Sequence, residues 1–278
     1  MASPPLSPND TIATAAAEQA LDDFRRDGIA VARFGDLLGE ELWQEGVADI
    51  TPFVTATDER AAELGKKERA KGKDEVIVRR FFRRESDGEA HRYKLSDVWL
   101  RIAASDTILG IVNGYTEQPR KLTYVDNWYT VPYPQATKRV ASQRWHRDPD
   151  DDHIVKMFVY FSDVDDEAGP FEYVRDSAAG GKYGDLFPWR DGDFYPPGEE
   201  LEEAVDPDDR ITMTGPAGTV IFCDTAGFHR GGFARTKPRI LMVSTFLREA
   251  VWQGERRFEI DFEGREASLS EQARRALA

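Results

Sequence analysis

Apolar residues between positions 11 and 26 recur at helical intervals and stop before Asp27-Gly28, the pattern of an amphipathic helix closed by glycine. A short apolar strand is predicted at 29–34, then helices at 37–48 and 58–69. The second of these runs into Lys66-Lys67-Glu68-Arg69-Ala70-Lys71-Gly72-Lys73, whose charge suits a solvated end. A strand near 75–82 and helical segments near 96–104 and 107–115 complete a helix-rich stretch. Beyond residue 120 the periodicity changes, and short strands are predicted at 122–131, 142–147, 154–161, 171–174, 210–214, 219–222 and 240–247. Strands of this length, separated by Gly and Pro turns, suit a sandwich or barrel. No internal repeat is found.

This organisation fits one domain over 1–278: a loose Pro- and Ser-rich tail at 1–10, a helix-rich elaboration at 11–120, and a β core at 121–250 interrupted by an insertion at 178–207. Hydrophobic residues make up 40% and charged residues 32%, enough for a packed core and unlike a disordered chain. No apolar run nears the roughly 20 residues of a membrane span, and Met1-Ala2-Ser3-Pro4-Pro5 lacks the regions of a secretory signal, so a cytoplasmic location is expected. A net charge of -14 argues against a general nucleic-acid-binding surface. The single cysteine, Cys223, excludes an intrachain disulfide framework and reads as a buried small hydrophobe.

Candidate chemistry centres on two of the four histidines. Side chains two apart on a strand leave the same face, so His146 and Asp148 point one way and Arg147 the other. His229, 83 residues later, follows the strand Gly218-Thr219-Val220-Ile221-Phe222-Cys223. Brought together by a barrel or jelly roll, the three make a 2-His-1-carboxylate set, the ligands of non-haem Fe(II) oxygenases, with three coordination positions left open. His-x-Asp alone is weak in so aspartate-rich a chain. Its context strengthens it, because Arg239 opens the apolar run Arg239-Ile240-Leu241-Met242-Val243 and is suited to grip a carboxylate bidentately.

The segments Gln143-Arg144-Trp145-His146-Arg147-Asp148 and Ala168-Gly169-Pro170-Phe171-Glu172-Tyr173-Val174, followed by His229 and Arg239, resemble the phytanoyl-CoA dioxygenase family of Fe(II)/2-oxoglutarate-dependent oxygenases. Phe24-Arg25-Arg26-Asp27-Gly28-Ile29-Ala30-Val31 is similar to that family's helix-to-strand opening. The resemblance implies a mainly β fold with flanking helices around a double-stranded β-helix, a cupin-like jelly roll. It also implies Fe(II) on His146, Asp148 and His229, and 2-oxoglutarate held through its distal carboxylate by Arg239. Dioxygen would be consumed, with succinate and carbon dioxide formed as a small-molecule substrate, one of specialised metabolism, is hydroxylated, cyclised or desaturated. Two positions depart from the pattern or compete with it. Gly231 stands where relatives often carry a serine, and Arg235, in a Gly-, Thr- and Lys-rich turn, is the alternate anchor to Arg239. Because Asp148 is present, halogenation is not expected.

Other residues carry lesser expectations. Asn127, beside Trp128 and Tyr129, is a candidate for the cosubstrate pocket. Residues 178–207, with Tyr183, Phe187, Trp189, Phe194 and Tyr195, are either a lid or substrate wall or an insertion with a few aromatics packed down; excising a lid should abolish turnover but spare iron binding. His153 is expected at the surface or beside the ligands rather than on the metal, and His91 has no assigned role. The acidic run Asp148-Pro149-Asp150-Asp151-Asp152 reads as a solvated loop near the metal mouth. The cluster Arg79-Arg80-Phe81-Phe82-Arg83-Arg84 either contacts an anion or flanks a strand, the latter favoured. Two rival readings use the same fold: a metal-dependent cupin isomerase or hydrolase without 2-oxoglutarate, and a non-catalytic jelly-roll binding module.

Overall fold

The computed structural model describes residues 14–72, 75–82, 90–188, 195–249 and 256–278. The tail, Lys73, Arg83, Arg84, Trp189 and Phe194 lie outside them. Thr14 caps the first helix, α1 (Ala15–Asp27), by accepting a hydrogen bond from the Ala17 amide, and Gly28 ends it in the left-handed conformation at φ 70°. Then follow β1 (Ile29–Arg33), α2 (Phe34–Leu38), α3 (Glu40–Asp58), α4 (Ala61–Arg69), β2 (Ile77–Arg79), β3 (Arg92–Lys94), α5 (Val98–Ala103) and α6 (Asp106–Thr116). The β-rich part comprises β4 (Lys121–Thr130), β5 (Val155–Tyr160), β6 (Phe171–Val174), α7 (Gly198–Ala204), β7 (Arg210–Met213), β8 (Thr219–Asp224), β9 (His229–Gly231) and β10 (Arg239–Leu247), followed by β11 (Glu259–Asp261) and α8 (Glu271–Leu277).

Six strands form an antiparallel sheet in the order β1-β8-β5-β10-β4-β2, and a smaller sheet runs β7-β6-β9. The strands β5 and β10 are buried on both faces, which is why they read as apolar runs rather than as alternation. Phe158, Tyr160, Leu241 and Val243 point between the sheets to meet Phe171 and Tyr173 of β6. Met157, Val159 and Met242 point the other way, into a core shared with α1, α5 and α6. The fold is therefore the expected jelly roll, with helices covering the outer face of the larger sheet. Cys223 is buried between the sheets.

Two expectations change. The strand predicted at 142–147 is instead a 3-10 turn, Ala141–Gln143, followed by one isolated bridge pairing His146 with His229. The helix predicted to stop at 48 continues through Pro52 to Asp58, so the break falls between α3 and α4. Tertiary contacts hold that stretch: Ile50 is buried, and Asp49 accepts from the Trp99 indole and from Arg80. The short elements β3, β11, α7 and α8 carried too few residues for a periodic signal.

Candidate metal centre

A single bridge brings the two histidines together. The amide of each donates to the carbonyl of the other at 3.0 Å, making them directly opposite residues of an antiparallel pair. Opposite residues share a face, and the rings lie 4.1 Å apart between centroids. Asp148 is fixed beside them through its amide, which donates to the Thr225 carbonyl at 2.8 Å. One ligand atom from each of His146, Asp148 and His229 can be chosen so that all lie within 4.8 Å of one another. Arg147 turns the other way, as the alternation requires, donating to the carbonyls of Ser177 and Tyr183 with its guanidinium over the Phe228 ring.

Hydrogen bonding selects the tautomer that a metal needs. Nδ1 of His146 lies 2.8 Å from the Arg144 carbonyl, and Nδ1 of His229 lies 3.0 Å from that of Gly227. A carbonyl can only accept, so Nδ1 carries the proton in both rings and each Nε2 keeps its lone pair. Burial, joined by the neighbouring His146 ring, brings the His229 pKa down to about 3, and burial also lowers that of His146. Both imidazoles are neutral at pH 7. Burial alone would raise the Asp148 pKa, but the Lys156 ammonium and the two imidazoles outweigh it and hold the carboxyl far below its usual range. Lys156 Nζ donates to Asp148 Oδ2 at 2.5 Å. Sequence reasoning passed over Lys156. The available signal was a lysine at an inward position of the apolar run Val155-Lys156-Met157-Phe158-Val159-Tyr160.

The two histidines line a cavity of about 130 Å³ together with Lys156, Phe158, Tyr160, Phe171, Leu241 and Arg239, among others. Arg239 is 6% exposed; one guanidinium nitrogen donates to the Gly169 carbonyl, while its Nε has no partner among the described residues. Such an orphaned buried N–H fits an anionic guest that supplies an acceptor. A Cβ added at Gly231 would meet Arg239 Nη2 at 3.7 Å and Glu75 Oε1 at 3.8 Å, ordinary contact distances, so no steric demand requires glycine there. Glu75 also accepts from Ser142 Oγ at 2.8 Å, and burial raises its carboxyl pKa against the opposing influence of that hydrogen bond and of Arg239 and Arg79. Arg79 lines the cavity with its guanidinium against the Trp128 ring, whereas Arg80 turns outward to Asp49.

Two cosubstrate candidates are not brought to this cavity. Asn127 pairs with Met242 and shares the helix-side face of β4 with Val125 and Tyr129; Trp128, one residue on, is the cavity residue. Arg235 donates to the Ala136 carbonyl and packs near Phe233, outside the cavity lining. Much of the 178–207 segment is packed down: Tyr183, Leu201 and Val205 form a core with Trp145, Val174 and Phe228. The acidic run is only partly solvated, because the Asp151 side chain is fully buried and paired with Arg120 and Arg248. A neighbouring cleft of about 390 Å³ is lined by Asp148, Asp150 and Asp152, among others. The His91 ring packs at a tilt against Phe81 and edge-to-face against Tyr93.

His153 bonds the fully buried Asp224 carboxylate at 2.6 Å and is not part of the His146, Asp148 and His229 cluster. That hydrogen bond raises the His153 pKa; burial and Arg120 oppose it, and Asp151 assists. A raised folded pKa gives stability that is full below the unfolded value of about 6.5 and is lost as pH rises through the folded value. Urea midpoints should therefore favour the wild type over His153→Gln most at pH 6, with the difference shrinking by pH 9. A difference independent of pH would remove the charged pair from the explanation.

No protein-family model and no curated protein matches the sequence. Solved structures do match in fold. The epimerase SnoN in complex with Fe3+, alpha ketoglutarate and nogalamycin RO is 17% identical over 85% of each chain, with a TM-score of 0.53. EctD from S. alaskensis with bound Fe is 16% identical over 87% of this chain and 79% of that one, with a TM-score of 0.55. Apo HygX from Streptomyces hygroscopicus is 17% identical over 85% of this chain and 88% of that one, with a TM-score of 0.51. At these identities the likeness establishes the shared jelly-roll architecture.

Proposed function

We propose that this chain is an Fe(II)/2-oxoglutarate-dependent oxygenase acting on a small molecule, with His146, Asp148 and His229 as metal ligands and Arg239 as the anchor of the cosubstrate's distal carboxylate. The observation that carries the reading is the convergence of two Nε2 atoms on one carboxylate beside a cavity that the two histidines line together with a buried, incompletely satisfied guanidinium. Two neutral imidazoles and one carboxylate suit a divalent ion and leave it positions for a chelating 2-oxo acid. Bound iron and 2-oxoglutarate would supply the activation of dioxygen, with succinate and carbon dioxide as coproducts.

The chain's own residues prepare the site for that chemistry. Arg144 and Gly227 carbonyls aim the imidazoles. Lys156 occupies Oδ2 of Asp148 and leaves Oδ1 for the metal. Phe158, Phe171 and Leu241 give the cavity apolar walls that exclude water and strengthen the ion pair at Arg239. Hydroxylation is the default outcome. SnoN, of the same fold, is an epimerase, so other outcomes belong to the same test. Anaerobic addition of Fe(II) and 2-oxoglutarate should give a visible charge-transfer band, followed on admission of oxygen by slow succinate formation without substrate. Absence of the band in folded protein would favour a binding module, and a metal-dependent activity indifferent to 2-oxoglutarate would favour an isomerase or hydrolase.

A further inference from the structure

We infer that Glu202, on α7, is a positioning residue for the metal centre: its carboxylate ties together the two residues that flank the histidine ligands and so fixes the spacing of the imidazoles. The inference rests on the reading of His146, Asp148 and His229 as metal ligands. The pairing of His146 with His229 in an antiparallel bridge makes Trp145 and Arg230 the next opposite pair. Alternation sends their side chains to the outer face, away from the ligands. There a single oxygen, Glu202 Oε1, accepts from Trp145 Nε1 at 2.9 Å and from Arg230 Nη1 at 2.8 Å. The guanidinium of Arg230 also lies 4.2 Å from the centre of the Trp145 ring, and its Nη2 donates to Glu172 at 2.6 Å.

The two segments are thus held together twice at this level, through the mutual backbone pair of His146 and His229 and through one carboxylate on the outer face. The bridge between them is isolated, and among the described residues no ladder continues it on the 146 side. Leu201 and Val205 of the same segment are buried against Trp145 and Phe228, which anchors Glu202 from below. The consequence differs from that of a simple lid: excising 178–207 should weaken metal binding as well as turnover.

The test uses full-length protein and Co(II), read by calorimetry and by its d–d absorption bands. Glu202→Ala should weaken Co(II) binding by about 10- to 100-fold, the range for partners behind metal ligands, and should shift the bands. Trp145→Phe, which keeps the ring and deletes only the donor, should do so more mildly and serves if the first variant does not fold. Glu203→Ala, an exposed change on the same helix, should match wild type. Wild-type affinity and bands in both Glu202→Ala and Trp145→Phe, even with lowered thermal stability, would overturn the positioning role while leaving the metal site intact. Failure of the wild type to bind Co(II) in a His146- and His229-dependent way would instead overturn the metal reading, and this inference with it.

Discussion

Replacing His229 by alanine is expected to lower Co(II) or Fe(II) affinity by more than about 100-fold, above the range for partners behind the ligands, and to bring 2-oxoglutarate turnover below detection. The size follows from what the ring supplies. It is one of the three proposed ligand groups, neutral at working pH because its pKa sits near 3, with Nδ1 committed to the Gly227 carbonyl and Nε2 facing the Asp148 carboxylate. Alanine keeps the backbone bridge to His146, so the strand should stay in place and the loss should read as lost coordination. Circular dichroism and calorimetry on the same sample separate the two. Retained tight binding with intact fold would exclude His229 as a ligand. The comparison with Arg235→Ala, which touches neither metal nor cavity, supplies the baseline.

Arg239→Met is expected to raise the dissociation constant for 2-oxoglutarate at least roughly thirtyfold with metal affinity unchanged. Truncating one partner of a buried, hydrogen-bonded charge pair typically costs about 2 kcal/mol or more, and each 1.4 kcal/mol is about tenfold. Arg239→Lys should fall between the two, because it restores charge without the planar fork. The guanidinium also holds the Gly169 carbonyl, so a modest fall in melting temperature should accompany either change. Anaerobic titration of the charge-transfer band measures cosubstrate affinity directly. Wild-type affinity in Arg239→Met would move the anchor elsewhere, and Arg79, the next cation on the cavity wall, would be the residue to replace.

The sequence made legible what depends on local period. The inward-outward alternation of His146, Arg147 and Asp148 holds although no regular strand forms there, because one bridge and extended backbone suffice. The apolar runs of β5 and β10 mark strands buried on both faces, and the distinction between Arg239 and Arg235 followed from strand against turn. Facing and register were another matter. Asn127 and Trp128 are adjacent, and only the pairing of Asn127 with Met242 fixes which of them meets the cavity. Lys156 was visible as a lysine at an inward position of an apolar strand, but the partner it serves, the Asp148 carboxylate, is fixed only by the fold. Glu202 could not be found at all from its own surroundings, because its partners, Trp145 and Arg230, lie 57 and 28 residues away.

The mutual amide-to-carbonyl pair between His146 and His229 bears on where the cost of assembling the centre falls. In an open chain, bringing together two donors 83 residues apart carries a closure entropy that the incoming ion would have to overcome. Here the polypeptide has already met that cost through backbone pairing, so coordination need not organise the chain as it does in small metal-dependent modules. Binding strength can then be modest and exchange rapid without loss of architecture. Choice among divalent ions falls to donor softness and to supply, and the ion becomes a replaceable component of a finished frame.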